Sequence, residues 1–285
     1  MRYKFIAALV PAVLAAGACK DESGVTGPKP IPPAALVRFV NAVVDTGIVD
    51  FRFIDRVENL PTFQGVRFRG SSGVYQRVTP GNRAVRIFPY SNDVTLASQR
   101  LIDTTITLAA NERYTLVYWG QARGNADRLV VIQDMATLPT PPAGNTAVRA
   151  LHADPTVATN VDVYIGKSNT DPIANTVAKL SNVAPRTLSP YVNVPVARSG
   201  QSDSLYTFAV TAAGATTAIY TSTPNVPGAP PAVPTAGPQP GVQIAGSVLT
   251  AVLTGPATAG SPAASSANVA TSSRVVLLAD KALNP

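Results

Sequence analysis

With 285 residues and an apolar fraction of 46%, the chain can bury two cores of ordinary domain size, and a charged fraction of only 14% excludes a highly charged disordered tail. The net charge of +7 is spread over single Lys and Arg residues, with no basic run interleaved with aromatics of the kind a nucleic-acid ligand would favour. One cysteine excludes an intrachain disulfide, and one cysteine with one histidine leaves too few ligands for a zinc site.

In chain order, Arg2 and Lys4 form a short positive region and Phe5 to Leu14 an apolar stretch too short to span a bilayer as a permanent helix. Small residues Ala15, Ala16, Gly17 and Ala18 then run into Cys19. This order reads as a secretory signal over residues 1–18, and its ending resembles the lipobox of bacterial lipoproteins, with Ala16 where leucine is commonest and Pro11 inside the apolar stretch. The resemblance implies cleavage before Cys19, a diacylglycerol on its thiol and an acyl group on its new amine. Several acyl chains, at about 0.8 kcal/mol per buried methylene, would hold the protein in the membrane permanently. Loss of Arg2 and Lys4 lowers the net charge by two, to +5. Lys20 follows the cysteine where an inner-membrane retention aspartate would stand in some bacteria. The expected address is therefore the cell envelope, by lipid anchor: the outer membrane, on its periplasmic or surface face, rather than the inner.

Residues 19–35 read as the lipidated tether. Pro28, Pro30, Pro32 and Pro33 favour extended polyproline geometry, and about 16 residues at about 3.1 Å each reach about 50 Å.

Beyond the tether the chain repeats itself. Leu36-Val37-Arg38-Phe39-Val40-Asn41-Ala42 corresponds to Ala147-Val148-Arg149-Ala150-Leu151-His152-Ala153, and Ile48-Val49-Asp50-Phe51-Arg52-Phe53 to Asn160-Val161-Asp162-Val163-Tyr164-Ile165. Near the ends, the run from Arg128 to Asp134 matches the run from Arg274 to Asp280. Two homologous domains follow, 36–139 and 147–285, joined by the linker 140–146.

Both copies read as β. Val49, Phe51 and Phe53 alternate with Asp50 and Arg52, as in a half-buried strand. The runs Tyr114–Trp119 and Val161–Ile165 are rich in β-branched and aromatic residues, with turn signals at Thr79-Pro80-Gly81-Asn82 and Ala110-Asn111-Glu112. No helical stripe follows residue 35. The expected fold is all-β: two tandem antiparallel β-sandwich domains of immunoglobulin-like, Greek-key type. Copy 2 is longer through two low-complexity loops, 223–241 and 257–273, and no charged side chain occurs from Ser204 to Ser273. That stretch reads as long loops outside the common core or as an uncharged contact surface.

The opening of each copy carries a family resemblance. Val148-Arg149-Ala150-Leu151-His152-Ala153-Asp154-Pro155, followed by Val161-Asp162-Val163-Tyr164, resembles the start of the DUF4397 family, V-R-x-x-H-A-x-P and then V-D-V-Y. Copy 1 keeps Val37, Arg38, Ala42, Val49 and Asp50, but has Asn41 for the histidine and Val44 for the proline. The resemblance implies envelope β-domains, often tandem and often behind lipoprotein signals. It brings no reaction and no binding residues.

Nothing in the sequence assembles catalytic chemistry. No G-x-S-x-G elbow presents a serine to His152, no Glu follows Glu112 to complete a carboxylate pair, and no D-x-D-x-D-G loop offers calcium ligands. No catalytic residue, metal or cofactor is expected, and a hydrolase is the remote alternative. The leading expectation is an adhesive or ligand-binding module for a glycan, a peptide or an envelope protein, with membrane contact through its acyl chains. A structural spacer or assembly component is the alternative. Trp119 and Tyr90 are the candidate binding aromatics. The polar residues shared by the copies (Arg38 and Arg149, Asp50 and Asp162, Arg128 and Arg274, Asp134 and Asp280) read as scaffold, with Arg38 and Asp50 near enough for a cross-strand pair.

Overall fold

The computed structural model describes residues 32–55, 62–73, 75–134, 137–232, 237–265 and 271–280. The signal, Cys19 and most of the tether lie outside them. Residues 33–285 form one compact unit.

Sixteen strands and two single-turn helices make up the described chain. The first repeat contains β1 (Ala35–Val43), β2 (Val49–Phe53), β3 (Phe63–Val66), β4 (Gln76–Val78), β5 (Gly81–Pro89), α1 (Val94–Ala97), β6 (Ile102–Leu108), β7 (Arg113–Gly120) and β8 (Arg128–Gln133). The second contains β9 (Asn145–Ala153), β10 (Val161–Lys167), β11 (Ala178–Val183), β12 (Val192–Pro195), β13 (Tyr206–Ala212), β14 (Ala218–Ser222), β15 (Val248–Thr254), α2 (Pro262–Ser265) and β16 (Arg274–Ala279).

The sheets repeat strand for strand. The first repeat has orders β4-β1-β7-β8 and β3-β2-β5-β6; the second has β12-β9-β15-β16 and β11-β10-β13-β14. The ladders are antiparallel except β1 with β7 and β9 with β15, which run parallel. The all-antiparallel expectation is corrected at that one pair in each copy. First and seventh strands start at the same end of the sandwich, a non-local relation that local periodicity does not encode.

Alternation divides each strand between two faces. In β1, Val37 and Phe39 enter the core of the first sandwich, against Phe51, Phe53, Phe63, Val85, Ile87, Leu116 and Tyr118. Phe39, Phe51, Phe53 and Phe63 form one aromatic group with centroid separations of 5.1 to 6.0 Å. The second core uses Val148, Val163, Ile165, Leu180, Tyr206, Phe208 and Val210. Phe53 faces Val85 across the β2–β5 ladder, and Ile165 faces Phe208 across β10–β13, so the large ring changes strand while the total volume stays similar.

The other face of β1 and β7 is also buried. Val40, Ala42 and Val117 pack on Leu151, Ala153, Val252 and Leu278 of the second repeat. The sheets β4-β1-β7-β8 and β12-β9-β15-β16 thus lie against each other, giving four layers. This explains why β1 and β9 are buried almost throughout and β15 entirely.

The low-complexity segments are partly built in. Val226 packs against the second core, which corrects the placement of the whole of 223–241 outside it. Ala257 and Ala263 pack on Val44 and Phe68 of the first repeat, and the Thr258 amide donates to the Val44 carbonyl at 2.7 Å. An uncharged sequence suits that internal contact, because each apolar atom buried there gains transfer energy with no ion to desolvate.

Candidate binding surface and the seam between repeats

Four of the shared polar residues meet in the seam, exchanged between copies. Arg38 pairs with Asp280 at 2.7 Å, and Arg149 with Asp134 at 2.7 Å. All four side chains are buried. Arg38 Nε donates to Thr115 Oγ1 at 2.8 Å, and that hydroxyl donates to Asp134 Oδ2 at 2.7 Å. The second copy repeats the motif: Arg149 Nε donates to Thr250 Oγ1 at 2.9 Å, and Thr250 donates to Asp280 Oδ2 at 2.7 Å. Tyr75 OH donates to Asp134 at 2.6 Å and Tyr191 OH to Asp280 at 2.8 Å. The two arginines lie over those same rings, Arg38 4.9 Å from Tyr75 and Arg149 4.7 Å from Tyr191. Burial alone would lower each guanidinium pKa, but the facing carboxylates outweigh it and hold both raised. Thr115, Thr250, Tyr75 and Tyr191 escaped the sequence reading, although they sit at matching positions in the two copies.

The expected Arg38–Asp50 pair does not form. Arg38 points out of its sandwich, toward the other repeat, whereas Asp50 lies on the far sheet and accepts from the Gly65 amide at 2.8 Å. Asp162 likewise accepts from the Asn182 amide at 2.8 Å and pairs with Lys179 at 2.8 Å. Gly65 and Asn182 both have left-handed φ, of 63° and 56°, so the two aspartates anchor one bulge geometry shared by the repeats. Arg128 and Arg274 stand exposed at the starts of β8 and β16, outside the network.

Trp119 is not an open platform. Its ring borders the seam cluster between the guanidinium groups of Arg128, at 5.7 Å, and Arg186, at 5.3 Å. Position 119 falls on the β7 face that meets the second repeat, where Thr115 and Val117 also lie. His152 is buried, and its Nε2 meets the Thr159 carbonyl oxygen at 3.2 Å. Burial lowers its pKa more than that contact restores. Its counterpart Asn41 donates to the carbonyls of Gly47 and Val66, at 3.0 and 3.1 Å, so both serve local backbone.

Tyr90 is different: it is 46% exposed, at the end of β5, where its amide donates to the Ile48 carbonyl at 2.9 Å. Two clefts share it. One, of about 470 Å³, is lined largely by Ile48, Pro89, Tyr90, Leu96, Leu101 and Pro262, the last contributed by the second repeat. The other, of about 450 Å³, lies on the outer face of β2, β3 and β5 and includes Asp50, Arg52, Gln64, Tyr90, Ser91 and Asn92. Beside them Val94 and Leu96 of α1 are exposed, at 80% and 45%. The segment 90–101 between β5 and β6 has no counterpart in the second repeat, where β13 and β14 are joined by 213–217. Among the described residues no cluster of three His, Cys, Asp or Glu could hold a metal ion, and no helix is long and apolar enough to cross a membrane.

A family model described as a domain of unknown function (DUF4397) matches residues 35–164, the whole first repeat, β9 and the first half of β10. No curated protein matches the chain. Among solved structures, a Bacteroides ovatus protein described as a candidate cell adhesion protein is 8% identical, covering 90% of this chain and 98% of that one with a TM-score of 0.19. A score that low carries neither fold nor function.

Proposed function

We propose that this is a non-catalytic, lipid-anchored protein of the cell envelope, held by Cys19 in the outer membrane, that presents a binding surface at the Tyr90 end of its first sandwich. The observation that carries the reading is the half-exposed Tyr90 ring between two clefts, in a segment only the first repeat has. Exposed aromatic and aliphatic side chains grouped on an otherwise well-packed protein are characteristic of contact sites. Position supports it as well. The chain enters β1 at Ala35, while the clefts gather where β1 gives way to Asp45–Ile48, about 30 Å away for nine residues of strand. A surface there stands at the opposite end of β1 from Ala35.

The test is binding of the solubilised mature protein to glycan and peptide arrays, compared with Tyr90→Ala. Binding that the variant loses supports the reading, and binding that it retains at full strength refutes it. The spacer alternative draws on the seam, since buried pairs join the two sandwiches into one body. A spacer would tolerate Tyr90→Ala in cells and fail when the seam is broken.

A further inference from the structure

Resting on that reading of the Tyr90 surface, the geometry points to its ligand class: a neutral carbohydrate, one pyranose ring lying on Tyr90 and its hydroxyls reaching into the cleft over β2, β3 and β5. The cleft sits on the face of inner strands. In the order β3-β2-β5-β6, both sides of β2 and β5 are taken up by ladder partners. Only β3, a four-residue edge strand carrying Gln64, borders the cleft, too short a template for strand addition by an extended peptide, so recognition falls to side chains. Those present suit a polyol. Arg52 brings a planar guanidinium, Gln64 and Asn92 amides and Ser91 a hydroxyl, beside the apolar face of Tyr90, with the buried Asp50 carboxylate, held by the Gly65 amide at 2.8 Å, at the floor. Paired donors and acceptors of this kind match vicinal hydroxyls, and an aromatic face matches the C–H side of a sugar ring. The charges of Asp50 and Arg52 offset, and neighbouring Arg86 is committed to Asp103 at 3.0 Å, which disfavours an anionic ligand.

The second repeat supplies an internal control. At the position of Asp50 it has Asp162, closed by Lys179 at 2.8 Å and by the Gly214 amide at 3.0 Å. Tyr164, in the register position of Arg52, has its ring covered by the Lys179 ammonium at 4.5 Å. The equivalent sheet face in the second copy is thus covered by Lys179, and the inference assigns one site per chain, on the first repeat.

The decisive experiment titrates the detergent-solubilised mature protein against neutral oligosaccharides, acidic oligosaccharides and extended peptides. Matching thermal midpoints would confirm that each variant is folded. Neutral sugars should bind at one site per chain; Tyr90→Ala should weaken binding about tenfold, the upper range for an aromatic contact, and Arg52→Ala severalfold, with Lys179→Ala unchanged. Tyr90-dependent binding of peptides or acidic sugars alone would overturn the neutral-sugar inference and leave the binding reading standing. Sugar binding that survives both Tyr90→Ala and Arg52→Ala, or no binding by any library at millimolar concentration, would overturn both.

Discussion

Arg38 Nη2 stands 2.7 Å from Asp280 Oδ1, joining the first strand of the first repeat to the residue that follows the last strand of the second. Its counterpart Arg149 makes the converse contact with Asp134 at 2.7 Å. Each repeat therefore supplies the arginine for the other's aspartate, as the two halves of an isologous dimer would. The covalent linker places both halves in one chain.

Breaking that pair should be costly. Arg38→Ala leaves Asp280 buried with one fewer cation, and uncompensated buried charges cost about 3–5 kcal/mol. Asp280→Ala should cost a similar amount. The double variant Arg38→Met/Asp280→Leu should recover much of the loss, because paired desolvation penalties vanish together. Urea unfolding of the four proteins checks this; additive losses in the double variant would show that the two charges do not depend on each other.

The seam also sets an alkaline limit. Burial raises the phenol pKa of Tyr75 and Tyr191, and the carboxylates of Asp134 and Asp280 raise them further against the lowering effect of Arg38 and Arg149. The folded protein thus holds these protons more tightly than the unfolded chain. Their contribution is complete below about pH 10 and is lost as pH rises from there toward the folded values. Stability should fall with pH above about 10, and Tyr75→Phe and Tyr191→Phe should each flatten that decline while losing one hydrogen bond, about 1 kcal/mol, at neutral pH. Unfolding midpoints measured from pH 8 to 11 test it, and an unchanged slope in both variants would refute it.

Much of the fold was legible because it is local. Val49, Phe51 and Phe53 alternate with polar neighbours, and the repeated V-R and V-D runs mark equivalent strands in both copies. What escaped was long-range. An arginine on the outward face of a strand reads as solvated until another sheet is known to cover it, so the sequence pairs Arg38 with nearby Asp50 rather than with Asp280. Trp119 misled for the same reason. Tyr90 reads correctly as exposed, but the polar half of its cleft draws on β2, β3 and the segment after β5 and cannot be read from spacing.

The anchor is tested separately from the fold. Small residues running into Cys19 motivate it, and residues 1–31 lie outside the described structure. Wild-type protein should incorporate labelled palmitate and fractionate with membranes, and Cys19→Ala should do neither. Label retained by Cys19→Ala would place the anchor elsewhere.

The exchanged core pair allows a sharper test of packing. In the first sandwich Phe53 faces Val85, and in the second Ile165 faces Phe208, so one cavity is filled from opposite strands. Phe53→Ile alone removes volume at a site 2% exposed and should destabilise by about 1–3 kcal/mol. Val85→Phe alone overfills a fully buried position, at about 1–3 kcal/mol. Together they copy the second repeat's solution, so the double variant should be more stable than the sum of the two losses predicts. Recovery should stop short of wild type, because Phe53 also meets Phe51 edge-on at 5.2 Å and lies under Arg83 at 4.5 Å. Those contacts contribute about 0.5–1.5 kcal/mol that isoleucine cannot replace. Chemical denaturation of the single and double variants decides: strict additivity would mean that Phe53 and Val85 do not share one packing volume, despite facing each other in the ladder.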